Sequence, residues 1–215
     1  MTMRAVVISS LFGLSLLAAD STVLFQDTFR AKLGDGWKWI RESPADWRVG
    51  VQGLEVCIRP GNMWGPANDA HNLLVRPAPR KVDLEITASI TNHPTHQYEQ
   101  VDLVWYYDDG HMVKVGQELV DGKLSVVMGR EENDKTRTIS ITPIDADTVE
   151  LRLQITEGRI AGFFKMQKGG WQRVGACTPP ANGQPSISLM FYQGAADVRH
   201  WARVSELTIR SLSKD

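Results

Sequence analysis

The chain is 215 residues long, 42% hydrophobic and 23% charged, with a formal net charge of -1. That length suits one large domain and is enough to bury a core without help from metals or disulfides. The even charge balance and the lack of a basic run argue against a nucleic-acid partner, because phosphate binding needs clustered Lys and Arg.

Residues 1–21 differ in kind from the rest. Met1 to Ala19 carries a single charge, Arg4, followed by the apolar run AVVISSLFGLSLLAA and then small residues at Ala19 to Ser21. The run is too short to span a bilayer, and the order of features is that of a secretory signal peptide cleaved near Ser21. The expectation is export, to the periplasm or outside the cell, with one domain over residues 22–215. An exported chain with two cysteines can form one bridge, so Cys57 and Cys177 are a candidate disulfide; two buried free thiols are the alternative. Asp27, in FQDTF, is a candidate ligand for a structural calcium or a carboxylate capping a turn. No other cofactor is expected.

From here alternation with period 2 dominates. Trp37, Trp39 and Trp47 alternate with polar residues and suit core or edge packing. Leu54, Val56 and Ile58 form one face of a strand, and Val82, Leu84, Ile86, Ala88 and Ile90 form another. Between them, PGNMWGPANDAHN is a loop rich in Gly, Pro and Asn, in which the large ring of Trp64 is costly unless it is covered or used. Trp64 and nearby His71 are therefore candidates for a binding rim. HPTH (His93 to His96) supplies two imidazoles without a third ligand in sequence, so a metal site is not expected there.

Residues 97–128 read as three strands joined by turns at Asp108-Asp109-Gly110 and Asp121-Gly122, where Gly and Asp tolerate positive φ. Pairing Tyr107 with His111 sets Gln100 opposite Glu118, Asp102 opposite Gly116 and Val104 opposite Lys114. Val101, Leu103, Trp105, Val113, Val115 and Leu119 then share the core side, and Leu124, Val126 and Met128 join them through the second turn. Gln100, Asp102, Lys114 and Glu118 gather on the other face beside Tyr98 and Tyr106, and Gly116 there could let a ligand approach. REEND (Arg130 to Asp134) suits a solvated loop. Val149, Leu151, Leu153 and Ile155 alternate in TVELRLQIT, and SISLMFYQ and ARVSELTIR supply late strands. The class is all-β.

The run Tyr98-Glu99-Gln100, Asp108-Asp109, Lys114-x-Gly116-x-Glu118 and Asp121-Gly122 resembles the concanavalin-A-like domain of unknown function 1349, the "regulation of enolase protein"-like family. GWKWIRESPADWRV, GLEVCIRPG and WARVSELTI are similar to that family's flanks and to the C-terminal accessory domain of β-xylosidases. The resemblance implies a jelly-roll sandwich of two curved antiparallel sheets whose concave face holds sugar. Asp102 stands where relatives usually have glycine, and the Thr and Ser-Asp-Trp that often follow the third strand are missing. The expected function is carbohydrate binding, with Trp64 and Tyr106 stacking on sugar rings and Gln100, Asp102, Lys114 and Glu118 binding hydroxyls. The rival readings are a glycan-cleaving enzyme using Asp102 and Glu118, and a protein-interaction sandwich. Lys114 beside both carboxylates would keep them ionised, which disfavours a general acid.

Overall fold

The computed structural model describes residues 21–80 and 82–212; the expected signal peptide, apart from Ser21, lies outside the described residues. Among the described residues fifteen strands follow in chain order: β1 Thr22–Asp27, β2 Lys38–Ile40, β3 Trp47–Gly50, β4 Gly53–Ile58, β5 Leu73–Pro77, β6 Leu84–Thr91, β7 Gln100–Asp108, β8 His111–Val120, β9 Lys123–Glu132, β10 Lys135–Pro143, β11 Thr148–Thr156, β12 Arg159–Met166, β13 Gln172–Cys177, β14 Ser186–Tyr192 and β15 His200–Ser211. Among the described residues no helix is long and apolar enough to cross a membrane.

The strands form two antiparallel sheets, a jelly-roll sandwich of the concanavalin-A-like kind. The first runs β13-β12-β11-β6-β15-β4-β3, with β1 also pairing β15; the second runs β10-β9-β8-β7-β14-β5-β2. Alternation puts every second residue between the sheets. Leu54, Val56, Ile58, Ile86, Ile90, Leu151 and Leu153 of the first sheet meet Val101, Leu103, Trp105, Val113, Val115, Val126 and Met128 of the second. The expected pairs of the first hairpin are the observed ones: Gln100 faces Glu118, Asp102 faces Gly116 and Val104 faces Lys114; in the second hairpin Glu118 faces Ser125. A bulge near Tyr107 pairs Asp108 with His111 instead. Val82 precedes its strand and is exposed.

Tryptophan closes one open side of the sandwich. Trp39 on β2 and Trp47 on β3, the edge strands of their sheets, pack together with ring centroids 5.0 Å apart and planes tilted by 41°. On the other side Ile139 of β10 packs over Gly175 of β13.

One expectation is corrected here. Cys57 lies in β4 and Cys177 in β13, with β12, β11, β6 and β15 between them, so five interstrand steps of ~4.8 Å separate them. That is far beyond bridging distance, and both thiols are free and buried. Asp27 caps a turn, one of the two roles expected of it. Its oxygens accept hydrogen bonds from the Phe29 and Gly34 amides, both at 2.7 Å, and from the Trp37 indole at 2.9 Å. Among the described residues no three His, Cys, Asp or Glu side chains gather to hold a metal.

Candidate functional site

The polar face of the second sheet is not open to solvent. The loop between β4 and β5 folds over it as a strap and gives the sandwich a partial third layer. Met63 and Ala70 of the strap join Leu73, Val104, Tyr106, Met112, Met190 and Tyr192 in a second apolar cluster. Polar ties hold the strap down. Gly65 N–H donates to Glu131 Oε1 at 3.1 Å, Asn68 Nδ2 to Asp134 at 3.1 Å, and Arg41 Nε to the Ala70 carbonyl at 2.7 Å. Trp64 lies over Gly129, where a β-carbon would collide with the indole, and its ring centroid is 4.8 Å from the Lys114 ammonium.

Beneath this cover Gln100, Asp102, Lys114 and Glu118 are brought together as expected, but they are buried. Lys114 Nζ donates to Gln100 Oε1, to Glu118 Oε2 at 3.3 Å and to the Tyr192 hydroxyl at 3.3 Å, and lies 3.6 Å from Asp102 Oδ2. Its three protons therefore have acceptors within the protein, so it serves the network rather than a ligand. Asp102 has 0% exposure, and its carboxylate fills the space that the missing side chain of Gly116 leaves. The glycine admits Asp102, not a ligand. Burial raises the Asp102 pKa to about 6, against the pull of Lys114 and with a further push from Glu118. With no accessible surface Asp102 cannot touch a substrate, so the proposed acid/base pair with Glu118 has nothing to act on.

Tyr106 is also corrected. Its hydroxyl donates to Asp109 at 2.8 Å, Asp109 is paired with Arg41 at 2.8 Å, and the ring sits in the strap's apolar cluster. Burial and Asp109 raise its pKa, and the ring is not available for stacking on a sugar. His71 is exposed and does not line the cleft described next. REEND is a loop only at its end: Asn133 and Asp134 form an exposed turn, but β9 runs to Glu132, and Glu131 is fully buried under the strap, with burial raising its pKa to about 7.

What stays accessible is a cleft of about 450 Å³ beside the strap. Trp64 and Tyr98 supply aromatic edges, Glu118, Asp121 and Thr138 supply oxygens, and Ile141 stands exposed at the mouth. Gln100 and Lys114 lie at its inner wall. The arrangement is an apolar-edged cleft with a few convergent polar groups, as small-ligand sites commonly are. Tyr192, Glu131 and Gln193 were not singled out from sequence. Tyr192 and Glu131 were within reach of it. Continuing the alternation from Ser125 reaches Glu131, and alternation in SISLMFYQ sets Tyr192 opposite in face to Ile187, Leu189 and Phe191.

A family profile for the β-xylosidase C-terminal concanavalin A-like domain matches residues 26–184, more than half of the chain. Among solved structures, the GH43 BlXynB protein from Bacillus licheniformis superposes with a TM-score of 0.75 at 14% identity, over 86% of this chain and 38% of that one. A xylan β-1,4-xylosidase from Bacillus halodurans gives 0.74 at 16%, over 86% and 38%. The carbohydrate binding module CBM66 from Bacillus subtilis gives 0.55 at 14%, over 82% and 96%. The chain thus spans less than two-fifths of those xylosidases and nearly all of the module, and at these identities the likeness is one of fold. No curated protein matches the sequence.

Proposed function

From the premise that this chain belongs to the family of β-xylosidase C-terminal concanavalin A-like domains, we propose that it is an exported carbohydrate-binding sandwich. Its ligand enters the cleft between Trp64 and Tyr98. The cleft itself carries this reading. Aromatic edges suit the C–H faces of sugar rings, and the oxygens of Glu118, Asp121 and Thr138 accept hydrogen bonds from hydroxyls. Two carboxylates facing the ligand favour a neutral glycan over a polyanion. The fold shared with a carbohydrate binding module supports the class of ligand. Export is supported by the order of charge, apolar run and small residues in residues 1–21.

The test is a glycan array carrying xylan and arabinan fragments, probed with the parent and with Ile141→Lys. Ile141 is exposed, so the variant should fold normally while its long cationic side chain obstructs the mouth. Binding by the parent and its loss in the variant are expected. An array without a hit, or a hit that ignores Ile141→Lys, rejects the reading. N-terminal sequencing of secreted protein checks export: an intact Met1 retained in the cytoplasm ends that part.

A further inference from the structure

We infer that the site has two subsites meeting at Tyr98, so that its ligand is an oligosaccharide laid across that residue rather than a single sugar. This rests on the carbohydrate-binding reading and extends it to a cleft that the reading does not use.

The second cleft, about 380 Å³, shares two walls with the first: Tyr98 and Gln193 line both. Each cleft falls in the range of about 300–1,000 Å³ typical of small-ligand sites. The second adds the Pro60 ring, the carboxylate of Asp69, the imidazole of His96 and the backbone of the strap's first turn. One Asp69 oxygen accepts the Asn62 amide at 2.7 Å, and both Asp69 and His96 are exposed. An apolar ring beside a carboxylate, an imidazole and an amide repeats the kind of surface that the first cleft offers.

The junction carries a cost that folding alone does not explain. Tyr98 has φ 67° and Gln193 φ 59°, both in the left-handed region that bulky residues rarely adopt. Tyr98 is nonetheless 46% exposed, so its ring gains little from burial. The surroundings fix both conformations. Tyr98 N–H donates to the Leu119 carbonyl at 2.8 Å, Gln193 N–H to Gly61 at 3.0 Å and Gly194 N–H to Arg59 at 3.0 Å. Gly194 must be glycine, since a β-carbon there would collide with the Ile58 carbonyl. From the wall of the second cleft, Gln97 Nε2 reaches Asp121 in the first at 3.2 Å and braces the ridge. Two strained residues held side by side, with an exposed ring between two clefts, form the kind of feature that clusters at ligand clamps.

Isothermal titration with xylo-oligosaccharides and arabino-oligosaccharides of one to six units tests this. The proteins are the parent, Tyr98→Asn and the double variant Asp69→Asn with His96→Ala. Asn tolerates the left-handed backbone and removes only the ring. In one series the parent's affinity should rise about tenfold or more from one unit to three, which is about 1.4 kcal/mol. Both variants should lower the trimer's affinity toward the monomer's. Equal affinity at all lengths, with binding still blocked by Ile141→Lys, overturns the two-subsite inference and leaves the single cleft standing. So does a length dependence that ignores both variants. No binding by either series overturns the inference together with the reading beneath it.

Discussion

Glu131 and Asp102 are carboxyls whose protonation is coupled to folding. Burial raises Glu131 from 4.5 to about 7, partly offset by the Gly65 amide, and raises Asp102 from 3.8 to about 6. A carboxyl with a raised folded value binds its proton more tightly in the folded state. Its contribution is therefore most favourable below the unfolded value and is lost as pH rises through the folded one, a window of roughly pH 4 to 7 for this pair. Glu99 runs the other way. Burial would raise it, but His200 and the amides of Thr95 and His96 hold it below its ordinary value, so its contribution is lost on acidification. Stability should peak between the two effects. Glu131→Gln keeps an acceptor for Gly65 N–H and removes the ionisation. It should add about 1–2 kcal/mol at pH 8 and flatten the decline between pH 5 and 8. Urea unfolding across that range measures both; a variant that keeps the parent's slope shows that another group titrates. The sequence made it legible that Gln100, Asp102, Lys114 and Glu118 share a face, because alternation and two turns define parity. Their burial was not legible, since what covers them comes from the loop between β4 and β5 and from Tyr192 on β14, distant in the chain.

At the level of elements, the strap decides how much of that face a ligand can meet. Its anchor is the contact of Trp64 with Gly129, so Gly129→Ala should push the indole off the sheet. The cost is about 1–3 kcal/mol, as for other over-packed positions. Trp64 would become wetter, the cleft would change shape and glycan affinity would fall. Red-shifted tryptophan emission and a lower Tm are expected; parent-like emission and Tm would reject the contact as an anchor. The loop's composition showed that Trp64 needed a partner, yet not which one. A glycine on β9 is a silent position in sequence, and its meaning appears only when the ring is found above it. The hairpins were readable for the opposite reason. Asp108-Asp109-Gly110 and Asp121-Gly122 act locally, and period 2 carries their register along three neighbouring strands.

Across the whole molecule, the last two strands hold central places. β14 lies between β7 and β5 in one sheet, and β15 lies between β6 and β4 in the other. A chain ending at Gln184 would keep the whole region matched by the family profile and still leave a gap in each sheet, with the facing edges of β7 and β5 and of β6 and β4 unpaired. Such a truncation should not fold; its circular dichroism should lack a cooperative thermal transition, and a clean transition would show that the sheets can close without these strands. The same placement sets the order of events at the ribosome. Strands that emerge early must wait for partners made at the end, because β4 and β6 touch each other only through β15, and β5 and β7 only through β14. Contacts between residues so far apart in sequence form slowly, so the nascent chain stays open until synthesis of the sandwich is nearly complete. Under the proposed export, that delay would keep the chain in a form that a translocation pore can accept.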